Sequence, residues 1–238
     1  MSIDFDNKMN IERIKAPGRS RATSSSPRWV WWLALGGTGL VITVVVLVAV
    51  ALWLGAADPP VAGPVRWSDD GLAWAGGPDV LLGAERELWA GAPFGCAIPG
   101  DAFTISVRAV IAEESDSAAA WGIWLEDSDG SRVVYVITSA DGGSYVTTRR
   151  CPVDDPLPDL DACPALRPDW RWSPYPRING PGAANTITLH REPSGAIRLR
   201  VNDERLGAAS VTVSGRWGVW ARGGDGSSRV TWQRAEMR

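Results

Sequence analysis

From Trp29 to Ala57 the chain carries no charged residue, and Trp29–Gly55 (WVWWLALGGTGLVITVVVLVAVALWLG) is apolar almost throughout. A helix of that length at about 1.5 Å per residue measures roughly 40 Å, against about 30 Å for the hydrocarbon core of a bilayer. It is long enough to span with some tilt. Trp29, Trp31 and Trp32 at one end and Trp53 at the other sit at the levels where aromatic belts form. A helix buried in a protein core seldom runs so far without a polar face. The expectation is one transmembrane α-helix over 29–55, with the lipid bilayer as its partner.

Basic residues set the direction of insertion. Lys8, Arg13, Lys15, Arg19, Arg21 and Arg28 precede the apolar run, while Arg66 is the first basic residue after it. Residues 1–28 are therefore expected in the cytoplasm, as a short tail of net charge +3 that is disordered around SRATSSSPR and meets anionic headgroups. Everything after 55 is expected outside a plasma membrane. Cleavage after Gly55-Ala56-Ala57 is the competing fate, but a signal peptide has an apolar stretch of only about 7–15 residues, so an uncleaved anchor is favoured.

Residues 56–64 (AADPPVAGP) read as a stiff linker, and 65–238 as one exported domain long enough to bury a core. From Asp58 onward 18 arginines stand against 24 acidic residues, a net charge of −6. That balance excludes nucleic acid as a partner, because phosphate binding needs a basic face. Arginine to the exclusion of lysine, with abundant Ala and Gly, fits a GC-rich bacterial genome.

Beyond the linker the period of the pattern is two. Phe103, Ile105, Val107, Ala109 and Ile111 alternate with more polar neighbours, and Ile197, Leu199 and Val201 alternate with Arg198, Arg200 and Asn202. Trp121, Ile123 and Leu125 are followed, after Asp127-Ser128-Asp129-Gly130, by Val133, Tyr135 and Ile137, which is a hairpin signal. Further strands are predicted at 144–149, 186–190, 210–213, 216–221 and 229–233. Many short strands between Gly, Asp and Pro turns give an all-β sandwich or barrel.

Three stretches carry a resemblance. AAAWGIWLEDSDGSRVVYVITSADGGSYVTTRR resembles the central hairpin of concanavalin A-like (lectin/glucanase) jelly rolls, NTITLHREPSGAIRLRVNDERL their paired strands before a "VNG" turn, and GRWGVWARGG their closing strand. The similarity covers about Phe103 to Trp232. It departs at Asn202-Asp203, where Asn-Gly is usual, and at the Pro-rich insertion 151–182 with its eight prolines. It implies a jelly-roll β-sandwich and, as ligand class, carbohydrate.

Cys151 and Cys163 enclose a short loop in a compartment that permits disulfides, so a bridge is expected there, with Cys96 left as a buried free thiol. Three cysteines without CxxC spacing and a single histidine, His190, do not make a metal site. No cofactor is expected. His190 reads as a polar strand residue without a nucleophile motif. Glycosidase chemistry needs two carboxylates facing each other across the bond. Glu126 lacks a partner at strand spacing, and Asp127 with Asp129 lies in a turn that favours acids, where calcium ligation is an alternative use. The expectation is a domain without catalytic activity.

Ten tryptophans fall in the exported domain. Trp121 and Trp217 share an inward register and belong to the core. Trp124 and Trp220 take the opposite register, so they either line an open sheet face that stacks on sugars or complete a second core layer. Arg198, Arg200 and Asn202 share one strand face and could bond sugar hydroxyls. Trp170, Trp172 and Tyr175 on the Pro-rich loop form a second candidate surface. The leading expectation is a membrane-anchored binding module for glycan or cell-envelope polysaccharide. The alternatives are an envelope assembly protein that contacts another protein through the sandwich, and an atypical glycoside hydrolase.

Overall fold

The computed structural model describes residues 28–53, 63–99, 102–140, 143–152, 159–166, 177–192 and 194–238. Two compact units divide the chain near Ala49 and Val50. Helix α1, Arg28–Trp53, lies in the first unit up to Ala49. Its side chains from Gly37 to Val50 are exposed, valine and leucine included. Among the described residues no helix is long and apolar enough to cross a membrane.

The second unit is a two-layer β-sandwich in which every strand pairing is antiparallel. Its strands in chain order are β1 Trp67–Asp70, β2 Asp79–Leu82, β3 Glu87–Gly91, β4 Thr104–Ile111, β5 Ala120–Asp127 and β6 Arg132–Ala140. They continue with β7 Gly143–Cys151, β8 Ala184–Arg191, β9 Ala196–Val201, β10 Glu204–Ser210, β11 Val213–Arg222 and β12 Ser228–Met237. One sheet runs β1-β12-β4-β8-β9-β10 with β2 also on β12, and the other runs β3-β11-β5-β6-β7.

Alternation explains the layers. Ile105, Val107 and Ala109, Ile187 and Leu189, and Ile197, Leu199 and Val201 point from the seven-stranded sheet into one core. Trp121, Ile123, Leu125, Tyr135, Trp217 and Val219 meet them from the five-stranded sheet. Trp217 packs edge-on against Trp67 and Trp74 at centroid distances of 5.8 and 5.9 Å, and Trp121 against Trp232 at 5.9 Å. Each such large apolar side chain contributes about 1.5–3 kcal/mol by leaving water.

The β9–β10 connection turns on Asn202 and Asp203, both with positive φ (48° and 68°), so Asn-Asp makes the tight turn that Asn-Gly would make more cheaply. Asn202 is held there because its side-chain oxygen accepts from the Thr186 N–H at 2.8 Å. One expected strand is corrected. Residues 210–213 are not a strand of their own, since β10 ends at Ser210 and β11 starts at Val213. Between them the Thr212 N–H donates to the Asp127 carboxylate, and the Thr212 carbonyl accepts from Ser128, which bends the chain from one sheet to the other.

Candidate ligand-binding cleft

Glu87 and Trp89 alternate with Leu88 on β3, so both project from the outer face of the five-stranded sheet. Register places Trp89 opposite Trp220 and Glu87 opposite Arg222 on β11. Cys163 is tied to the end of β7 by the disulfide Cys151–Cys163, with Cα atoms 4.8 Å apart. A single 3₁₀ turn at Leu160–Ala162, capped by the Asp159 carboxylate accepting from the Asp161 N–H, inserts Leu160 against the sheet.

Two things follow. Ala120, Trp124, Val134, Val136, Leu160, Trp220 and the two bridged cysteines close into a second, smaller core, with Trp89 packed at its edge. Beside it a cleft of about 600 Å³ remains, lined by Trp89, Glu87, Arg222, Asp159 and Asp161, with Glu85, Arg86 and Asp225 also on its lining. That is within the size range of small-ligand sites, about 300–1,000 Å³.

The polar groups of the cleft are ordered. One oxygen of Glu87 accepts both indole N–H groups, from Trp89 and from Trp220, each at 3.0 Å. Arg132 stacks its guanidinium 5.4 Å from the Trp89 centroid and 5.2 Å from that of Trp124. Arg222 pairs through one terminal nitrogen with Asp161 at 2.5 Å. Among the described residues its buried Nε has no hydrogen-bond partner. A donor in that condition costs free energy until an acceptor reaches it.

Among the described residues, those singled out from sequence do not share one site. Trp220 is 0% and Trp124 6% exposed, so these two rings belong to the second core and offer no open stacking face. The reason is the turn at Leu160–Ala162, whose Leu160 packs with them beside the Cys151–Cys163 disulfide. Trp124 donates its indole N–H to the Val219 carbonyl at 3.2 Å. Arg198 and Arg200 lie on the other sheet, facing His190 and Thr188 across β8. Arg198 is paired with Glu192. Asn202 is spent on its own turn, donating to the Arg177 carbonyl and to the Asn185 side-chain oxygen. Trp170, Trp172 and Tyr175 lie outside the described residues. Trp89, Glu87 and Arg222 were missed in the sequence, although Glu-Leu-Trp alternates there.

The carboxylates considered for catalysis or calcium are engaged structurally. Glu126 pairs with Arg216 and accepts from the Ser214 hydroxyl at 3.1 Å. Asp127 pairs with Arg150 at 2.8 Å, and Asp129 stands 3.6 Å from the same nitrogen. Hydrogen bonds from Ser131, with Arg150 nearby, hold the Asp129 carboxyl below its ordinary value. Among the described residues no group of three His, Cys, Asp or Glu side chains is placed to hold a metal ion.

The Cys151–Cys163 bridge is the one expected from sequence, and Cys96 is free and buried. Burial, and secondarily the charge of Asp69, pushes its thiol up. Cys96 lines, with Trp124, Trp217 and Arg216, an apolar groove of about 240 Å³ beside Phe94, which is 99% exposed.

No protein-family model matches the chain, and no curated protein does. Solved structures do. The potassium-bound carbohydrate recognition domain of Emp46p aligns at 12% identity and a TM-score of 0.45, over 67% of this chain and 88% of that one. A legume lectin-like domain from Entamoeba histolytica aligns at 11% and 0.45, over 68% and 89%. The CBM2 module of the evolved Dit protein of Lactobacillus casei BL23 phage J-1 aligns at 13% and 0.42, over 74% and 79%. Similarity at this level describes an architecture and nothing about a ligand.

Proposed function

We propose that this chain is a membrane-anchored, non-catalytic saccharide-binding module whose ligand occupies the Trp89–Arg222 cleft on the extracytoplasmic side. The single observation that carries the proposal is the buried, unpartnered Nε of Arg222 beside the half-buried ring of Trp89. An indole surface packs on the apolar face of a sugar ring, while a guanidinium N–H and flanking carboxylates bond its hydroxyls. The hairpin and closing-strand motifs shared with concanavalin A-like jelly rolls support the same ligand class.

Anchoring is argued from the uncharged run from Trp29 to Ala57 in the sequence. The basic residues before it favour a cytoplasmic amino terminus. A non-catalytic role is supported by the engagement of Glu126 and Asp127 in ion pairs within the fold. The second reading, contact with another envelope protein, is favoured by one observation, the fully exposed Phe94 ring at the mouth of the apolar groove.

The test is a glycan array probed with the full chain in detergent micelles. Retention on a defined set of saccharides, without their cleavage, is the expected result. Silence across all classes refutes the saccharide reading and leaves the protein partner, and turnover of a bound oligosaccharide refutes the non-catalytic one.

A further inference from the structure

Arg200 sits near the middle of β9, and its side chain leaves the outer face of the seven-stranded sheet, the face opposite to the cleft sheet. It is 7% exposed, a degree of burial at which a charge is expected to be matched. Its matching is incomplete. One terminal nitrogen donates to the Asp203 carbonyl at 3.1 Å, and among the described residues the buried Nε has no partner and no carboxylate pairs with the guanidinium.

Arg205 is the direct cross-strand partner of Arg200 on β10, so no carboxylate stands opposite Arg200 on that side. The nearby carboxylates are engaged elsewhere, Glu192 with Arg198 and Glu204 with Arg177 at 3.0 Å. On the other side the register partner is Thr188, whose hydroxyl lies 3.1 Å from that of Ser106. One hydrogen bond joins these two hydroxyls, so one of their two protons remains available to a further acceptor. Beside them His190 titrates below its ordinary value, first because it is partly buried and also because Arg200 repels a second positive charge.

We propose that this face holds a second binding site, for an oxyanion, centred on Arg200. The Nε edge of a guanidinium is one of the two-pronged faces that match carboxylate, sulfate and phosphate oxygens. A bound oxyanion supplies the missing counter-charge, gives Nε an acceptor and takes the spare hydroxyl proton of the Thr188–Ser106 pair. The chemistry is shared by uronic acid carboxylates, sulfate esters and free inorganic anions. The site lies on the opposite sheet to the cleft and stands whether or not the cleft binds sugar.

Thermal unfolding of the full chain in detergent tests it, at constant ionic strength set with sodium chloride, along separate titrations with sodium glucuronate, sodium sulfate and inorganic phosphate. In at least one titration the midpoint rises and saturates, and the anion with the lowest half-saturation concentration identifies the group preferred. In Arg200→Gln the rise disappears, and the variant unfolds no earlier than the parent in sodium chloride alone, because a buried, uncompensated charge has been removed. Arg200→Lys, which keeps the charge and loses the planar fork, raises the half-saturation concentration at least tenfold and decides the matter if Arg200→Gln does not fold. Absence of a saturable rise with all three anions, or the same rise in both variants, overturns the proposal.

Discussion

Trp220 donates its indole N–H to the carboxylate of Glu87 at 3.0 Å although the two residues are 133 positions apart. Trp89 donates to the same oxygen. Glu87 thus joins the second core, to which Trp220 belongs, to the cleft that Trp89 lines. Replacing it with alanine leaves the wholly buried Trp220 donor without an acceptor, at about 1–3 kcal/mol for each such group. We expect Glu87→Ala to lower unfolding stability by about 2–3 kcal/mol and Glu87→Gln, which retains an acceptor oxygen, by less. Urea unfolding followed by tryptophan fluorescence measures both.

The disulfide closes a short loop, with a sequence separation of 12. In the loop-closure model a bridge of that span contributes about 3 kcal/mol by restricting the unfolded chain. Cys151→Ala/Cys163→Ala is therefore expected to lose about that much. It also loosens Leu160 over the sheet, so the near-ultraviolet signal of Trp124 and Trp220 changes before global unfolding. Cys96, buried and with its thiol pushed up, stays unmodified by iodoacetamide in the native chain and reacts after denaturation.

Gly218 faces Trp124 across the β11–β5 pair. A Cβ at that position would lie 2.6 Å from the Trp124 ring and inside contact of the Ala90 carbonyl oxygen. Backbone of β3 and a packed indole both have to move. Gly218→Ala is expected to cost about 3 kcal/mol, at the upper end for overpacking, and to displace Trp124 from its bond to Val219. A blue shift or broadening of the tryptophan emission together with an earlier urea midpoint checks this.

His190 titrates below its ordinary value of 6.5 in the folded chain, because partial burial disfavours the charged ring and Arg200 adds repulsion. The Thr104 hydroxyl lies 3.0 Å from its Nδ1. With the folded value depressed, the unfolded chain binds the extra proton first as the pH falls. The stabilisation is complete above about 6.5 and is lost as the pH drops through that value toward the folded one. We expect the thermal midpoint to decline below about pH 6.5, and His190→Asn to flatten that part of the profile.

The sandwich was legible because β4, β5, β6 and β9 each carry an apolar face at strict period two, and nothing but a sheet buries such a face. The strands around Trp67 and Trp89 escaped because they are four and five residues long and half polar. Alternation correctly set Trp124 and Trp220 opposite to Trp121 and Trp217, but it does not say what covers a face. Their cover is Leu160; the Cys151–Cys163 bridge beside it is legible as a pair of cysteines, but the sheet face on which Leu160 lands is not. The ion pair between Asp161 and Arg222, 61 positions apart, is likewise a product of tertiary structure. Arg198 and Arg200 were read correctly as one strand face and could not be assigned to a sheet from spacing alone.

The most direct test of saccharide binding in the cleft is isothermal titration calorimetry of the full chain and of its Arg222→Met variant, using the saccharide best retained on an array. Met keeps the stem of the side chain and removes the unpartnered N–H, so with circular dichroism unchanged we predict at least tenfold weaker binding, about 1.4 kcal/mol. Equal affinity in the two proteins would contradict a ligand held by Arg222 beside Trp89.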